Sequence, residues 1–466
     1  MFDRHAYTER RKRLQERFDG GLLLFPGNAD APMNYGANAY HFRQDSSFLY
    51  YWGVDDPELI AVLDVESNRH VLFGNDFTVD DIVWRGPQPT IAERAARAGV
   101  TETEPLDKLP GLLSEALRTG RRIHYLSQYR ADNAQLLERL LGIRADMVNY
   151  HASTQLARAV VDQRAHKAPE EVAEIESALE IGHDMHVMAM QMARPGMLER
   201  EVAGAIEGLV SARGVALAFP VIFSVHGETL HNHYHGNRME AGQMAVNDSG
   251  CESLLHYACD ITRTIPIGGR FQGVQRDLYQ SVLNAQRKAI AEVKPGVMFR
   301  DIHLLASRSM AEDLKSIGLM KGNLDAAIEQ GAQGIFFQCG LGHMLGLDVH
   351  DMEGIGEQFV GYAPGLERSK QFGLKSLRMA RALDPGMVLT VEPGVYMIPV
   401  LMDRWRAEGK FAEFIDYDAF ERFKAFGGIR LEDDVLVTET GSRVLGKPIP
   451  IEMEEVEAIA GAGAVS

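Results

Sequence analysis

Four carboxylates and one imidazole interrupt apolar runs in the second half of this 466-residue chain, where charged groups are least expected. Asp248 stands in Val246-Asn247-Asp248-Ser249-Gly250 and Asp260 in Ala258-Cys259-Asp260-Ile261-Thr262. Glu392 breaks Val388-Leu389-Thr390-Val391-Glu392, Glu432 follows Gly428-Ile429-Arg430-Leu431, and His343 lies in Gly340-Leu341-Gly342-His343-Met344-Leu345-Gly346. A buried carboxylate without a partner is costly, so each needs a hydrogen-bond donor, an arginine or a metal. Arg263 can partner either aspartate, and Arg430 can partner Glu432. Read alone, the histidine run is also compatible with a core strand whose two histidines, His343 and His350, are satisfied by neighbours. If all five side chains converge, repulsion among the acids raises their pKa values, and two divalent cations relieve it. Oxygen-rich ligation with a single imidazole suits Mn²⁺, and less selectively Co²⁺, Fe²⁺ or Zn²⁺.

Positioning such a set takes a sizeable scaffold. The length exceeds one ordinary core, so two domains are expected, 1–165 and 166–466. In the first, apolar runs at Gly21–Phe25, Phe48–Trp52, Leu59–Leu63 and His70–Phe73 predict strands. Helical stretches at Ile91–Ala98, Leu109–Leu117 and Asn133–Leu141, with a strand over Arg122–Leu126, continue an alternating α/β pattern. Lys167-Ala168-Pro169-Glu170-Glu171 opens a long helix, with proline in the first turn and acids beside the helix dipole. In the second domain, Arg194-Pro195-Gly196 and Lys294-Pro295-Gly296 each link two helices ahead of a β-rich segment. That repetition predicts two related α+β halves with a cleft between them.

Composition narrows the function classes. The hydrophobic fraction of 45% and charged fraction of 24% suit a soluble globular protein. A formal charge of −17 opposes nucleic-acid binding, which needs a basic face. The three cysteines, Cys251, Cys259 and Cys339, are odd in number and include no CxxC pair, which argues against a disulfide framework. The N-terminal residues lack the apolar core of a signal peptide, and no uninterrupted apolar run can span a bilayer, so no membrane partner and a cytoplasmic location are expected.

Taken in order, DSGCE, DITRTIP, GLGHMLGLDVHD, LTVEPGVY and GIRLEDD closely resemble the pita-bread metallopeptidases. With RQDSSFLYYWG and KAPEEVAEI ahead of them, nearly the whole chain resembles aminopeptidase P, the Xaa-Pro aminopeptidases. The resemblance implies an α/β N-terminal domain followed by an α+β pita-bread (creatinase/aminopeptidase-like) catalytic domain with an internal pseudo-two-fold repeat. It implies two divalent ions, with Asp260 and Glu432 bridging, Asp248 chelating one ion, and His343 and Glu392 completing the other. Catalysis would follow from attack of a metal-bridged hydroxide, with Glu392 as general base. His350 would stabilise the tetrahedral intermediate or contact substrate. His233 would be the family histidine that precedes the first aspartate, and Arg430 and Tyr396 are candidates for the proline pocket by motif position.

The implied substrates are peptides with proline at the second position. An Xaa-Pro dipeptidase (prolidase) is the alternative, and a non-catalytic pita-bread binding module a further one. A dimer or tetramer is implied as well. Three features depart from the family pattern or stand outside it. Cys339 occupies a position where a histidine is usual. His231, His233 and His235 alternate as if along one strand face, a spacing that would also suit a separate zinc site. The stretch Gly354–Arg378 is either a loop over the cleft or a solvated excursion.

Overall fold

The structure, a computed structural model, describes residues 1–462. The chain forms two compact units, one from Met1–Arg164 together with Met352–Phe359, the other from Ala165–Asp351 and the chain from Val360 onward. No helix among the described residues is long and apolar enough to cross a membrane.

The first unit is built on a mixed five-stranded sheet in the order β4-β3-β2-β1-β5. Its strands are β1 (Leu22–Pro26), β2 (Ile60–Asp64), β3 (Arg69–Phe73), β4 (Glu102–Glu104) and β5 (Ile123–His124). β1 and β2 run antiparallel with Leu24 opposite Val62, whereas β1–β5 and β3–β4 are parallel. Leu22, Leu24, Val62, Leu113 and Leu137 are fully buried and knit the sheet to its helices. One expectation fails here. Phe48–Trp52 is not a strand but part of a helix, Ser46–Trp52. The Asp45 carboxylate caps it by accepting from the Phe48 N–H at 2.9 Å, and Gly53 ends it in the left-handed conformation at φ 62°. Every residue of that helix is buried, so its Phe-Leu-Tyr-Tyr-Trp run shows no helical period.

The second unit begins at the helix Pro169–Met192, whose free Ala168 N–H is met by the Glu171 carboxylate at 3.0 Å. Strands β6 (Ile222–Ser224), β7 (Met244–Ser249) and β8 (Ile261–Pro266) form one antiparallel sheet. Strands β9 (Val388–Val391), β10 (Gly394–Tyr396), β11 (Gly428–Arg430), β12 (Asp433–Val437) and β13 (Ser442–Val444) form the sheet β13-β12-β9 and the pair β10-β11.

The predicted repeat is present in the backbone hydrogen bonds. Gly196, at φ 91°, donates to the Met239 carbonyl at 2.8 Å; Gly296, at φ 82°, donates to Leu383 at 2.8 Å. Helices Glu199–Ala212 and Phe299–Ser316 follow these turns. Further on, Gly242 donates to Ile267 at 2.9 Å and Gly386 to Val437 at 2.9 Å, so β7–β8 and β9–β12 leave equivalent turns. Counted forward from those two glycines, Asp248 and Glu392 fall at the same place. The two halves thus bring their acids to equivalent strand ends.

Candidate metal centre

Asp248 on β7, Asp260, Glu392 and Glu432 beside the ends of strands, and His343 in a loop line one cavity of about 480 Å³. Asp248 lies on β7 opposite Thr262, and Asp260 immediately precedes β8. The Asp260 N–H donates to the Asp434 carboxylate at 3.0 Å, which anchors the backbone behind it. Glu432 bridges to the same sheet: its N–H donates to the Thr262 carbonyl at 3.1 Å, and the Thr262 hydroxyl donates to its carboxylate at 2.6 Å.

The His343 segment is pressed against β9. The Thr390 N–H donates to the His343 carbonyl at 2.9 Å, and the Glu392 N–H to that of Leu341 at 2.8 Å. A Cβ at Gly342 would lie 2.0 Å from the Thr390 carbonyl oxygen, so only glycine permits this approach. His343 Nδ1 lies 3.0 Å from the Met344 carbonyl. A carbonyl only accepts, so Nδ1 carries the proton and Nε2 keeps its lone pair. Nε2 stands 3.4 Å from Asp260 Oδ2 and 3.5 Å from Glu392 Oε1.

Burial and crowding set the electrostatics. Burial, reinforced by the neighbouring Asp248 charge, raises the Asp260 pKa well above the carboxylate range. Burial and then the charges of Asp260 and Glu392 do the same to Glu432. Glu392 is pushed up to about 7 by burial, with His343 and Arg430 pulling the other way. Burial lowers His343, which keeps the imidazole neutral. Acids that cluster at this cost are the expected signature of a functional site.

A model of the metallopeptidase family M24 matches residues 173–439, and one of the aminopeptidase P N-terminal domain matches residues 7–124. The chain is 31% identical to the human Xaa-Pro dipeptidase, over 94% of this chain and 88% of that protein. It is 30% identical to the Xaa-Pro aminopeptidase of Escherichia coli K12, over 98% and 97% of the two chains. The chain belongs to metallopeptidase family M24. A variant of E. coli aminopeptidase P solved in complex with substrate is similar over 100% of both chains, at 28% identity and a TM-score of 0.81. Aminopeptidase PepP of Pseudomonas aeruginosa is similar over 99% of both, at 27% identity and a TM-score of 0.80. The architecture is therefore an aminopeptidase P-type N-terminal domain followed by a pita-bread domain, and the protein is a metallo-exopeptidase.

The donor set of this M24 peptidase fits the divalent metal that the family implies. One ligand atom from each of Asp260, His343 and Glu432 lies within 4.8 Å of the others. Asp248 Oδ1 and Asp260 Oδ1 are buried with no hydrogen-bond partner, an arrangement that a cation satisfies. Asp248 is held differently from the other acids. Its Oδ2 accepts from Arg430 at 2.5 Å, and Arg430 also donates to the Tyr396 hydroxyl at 3.0 Å and the Thr262 hydroxyl at 3.2 Å. Burial works against the Arg430 charge, but Tyr396, Asp248 and Glu392 together hold its pKa well above the ordinary value.

The other expected residues divide. His350 and His233 line the same cavity, and the His350 ring packs edge-on against His343 with centroids 4.2 Å apart. Arg263 partners neither aspartate: it donates to Asp433 at 2.7 Å and to the Glu432 carbonyl at 2.7 Å. Nor does Arg430 form an ion pair with Glu432: from β11 its guanidinium pairs with Asp248 on β7. His231, His233 and His235 lie in a connection between β6 and β7, not on a strand, so their alternation does not place them on one face. His235 instead bonds the Val221 carbonyl at 3.1 Å. His231 also lines the cavity: its pKa is lowered by burial and by Arg430, and raised in turn by Asp248.

Cys339 lines the cavity too, with its Sγ 3.8 Å from the Tyr396 hydroxyl. Burial and the Glu392 charge push its thiol up to about 12, so it stays protonated at neutral pH. The Gly354–Arg378 stretch is more than a solvated excursion, since Ser376 and Arg378 reach the cavity wall and Tyr362 is tied to the Leu377 carbonyl at 2.7 Å. Sequence reasoning did not assign His231, Ser376 or Arg378 individually to this cavity. The only signal for Arg378 was its place at the end of a charged, glycine-rich insertion.

Proposed function

We propose that this M24 peptidase removes the N-terminal residue from peptides whose second residue is proline, and does so with two divalent ions of the Mn²⁺ type. The observation that carries this reading is the convergence of four carboxylates and a neutral imidazole in one cavity. Asp248, Asp260, His343, Glu392 and Glu432 would hold the ions. Divalent ions in such a donor set supply a hydroxide nucleophile at neutral pH and polarise the scissile carbonyl.

The chain's own groups do the rest. Glu392 can accept a proton on its carboxylate and pass it to the leaving nitrogen. His350 is placed against His343 to donate to the oxygen that gains charge as the carbonyl is attacked. His233 and His231, which line the same cavity, would serve as substrate contacts. Arg430, which lines the cavity and bonds Asp248 and Tyr396, acts at least by holding Asp248. Proline after the scissile bond offers no N–H and has a fixed ring. The apolar wall of Phe219, Pro220, Ile222 and Leu230 suits that ring and excludes water.

A dipeptidase is the second reading. Arg378 in the cavity wall is a cation that could hold a free C-terminal carboxylate, and the human relative is named Xaa-Pro dipeptidase. The near-complete match to aminopeptidase P in both length and structure favours the first. Comparing kcat/KM on Xaa-Pro and Xaa-Pro-Yaa decides between them. The tripeptide is expected to be the better substrate, and preference for the dipeptide selects the second reading. Elemental analysis of purified protein tests the ion count, with two manganese per chain expected.

The reading includes a homo-oligomer, dimer or tetramer, and Val79, Val83 and Trp84, exposed together on one helix of the first unit, support it. A cytoplasmic setting accords with three free cysteines.

A further inference from the structure

Lys167 and Asp351 form an ion pair at 2.9 Å, and each side chain is only 1% exposed. A pair this deeply buried is seldom retained for stability alone, because desolving two charges offsets most of their attraction. Both ends of this one are tied to the metal-centre segments. The Lys167 N–H donates to the Gly386 carbonyl at 2.8 Å, in the turn that starts β9 and leads to Glu392. The Asp351 N–H donates at 2.9 Å to the Met344 carbonyl, the same oxygen that orients His343 Nδ1. Asp351 also directly follows His350. A Cβ at Gly346 would lie 2.5 Å from Asp351 Oδ2 and 3.0 Å from Lys167 Cε, so the loop is shaped around the pair.

We propose that Lys167 and Asp351 are positioning residues: their buried pair braces the 343–351 loop against the Gly386 turn and so sets His343 and His350 relative to Glu392. This rests on the metal-centre reading above. A partner that orients a ligating imidazole typically changes metal affinity by about 10–100-fold.

The test uses the full-length, metal-free protein, titrated with Mn²⁺ by calorimetry. Lys167→Met alone strands a buried carboxylate and destabilises the fold. The informative variant is therefore Lys167→Met combined with Asp351→Leu, which removes both charges and keeps the length of one side chain and the branching of the other. It is expected to melt close to wild type, yet to bind Mn²⁺ at least about tenfold more weakly and to show a lower kcat. Lys167→Arg, which keeps a cation, is expected to recover part of the affinity. A double variant with wild-type Mn²⁺ affinity and kcat overturns the brace. Wild-type protein that takes up no Mn²⁺ overturns the metal centre itself, and the brace with it.

Discussion

In the first half of the M24 unit the chain turns at Gly242, runs up β7 and reaches Asp248; in the second it turns at Gly386, runs up β9 and reaches Glu392. The backbone plan is shared, but the two acids meet different surroundings. Asp248 is neutralised by the buried guanidinium of Arg430. Glu392 faces a neutral imidazole and the Thr390 hydroxyl, and its proton affinity rises to about neutrality. The intervening segments differ even more. The first half contributes an apolar wall with His231 and His233, the second Cys339, His343, His350, Ser376 and Arg378. A repeated scaffold fixes where acids can stand, and the loops between helix and strand decide what each acid can do.

Removing an acid that serves both halves is expected to have the largest effect. Asp260→Asn should abolish metal uptake and lower kcat/KM by about 10³-fold or more, read by elemental analysis and peptide hydrolysis. Breaking the first half's special feature comes next. Arg430→Met leaves Asp248 and the Tyr396 hydroxyl without their buried donor, so metal-free protein should lose about 3–5 kcal/mol of stability in chemical denaturation. In the second half, His350→Ala should cut kcat by about 10²–10³-fold while leaving the ion content unchanged; lost ions would move His350 into the ligand set.

The contrast between the two acids also sets a pH dependence. The Glu392 pKa is raised in the fold to about 7 from an ordinary 4.5, so the folded state keeps a proton that the unfolded state releases. Metal-free protein should therefore lose stability as pH rises from 4.5 through about 7, with no further loss from this group above that. Melting curves of Glu392→Gln should show a shallower slope over that range, since Asp260 and Glu432, also raised, still contribute to it. The smallest effect is expected at Cys339. Its protonated thiol is no nucleophile, and Cys339→Ser should change kcat/KM by less than about threefold.

The acids were legible because each breaks a β-branched or aliphatic run, and a strand interior admits a carboxylate only for a reason. The repeat was legible from two Pro-Gly turns, since a left-handed residue after proline leaves few alternatives to glycine. Helix Ser46–Trp52 was not, because burial on every side erases the period that separates helix from strand. The partners of the arginines were not legible either. Arg263 sits three residues from Asp260, yet spends its charge on Asp433, while Arg430 reaches an aspartate far away in the chain.

By itself, then, the sequence determined which residues are chemically able to hold a divalent cation, which apolar runs carry them, and that one scaffold is used twice. Those properties are local: residue type, alternation and turn chemistry. Tertiary structure alone decided that Asp260, His343 and Glu432 meet, that burial lifts the Glu392 pKa to about 7, and that Lys167 reaches Asp351. Pairing energies and pKa values depend on distance and burial, and those are set by packing between segments far apart in the chain.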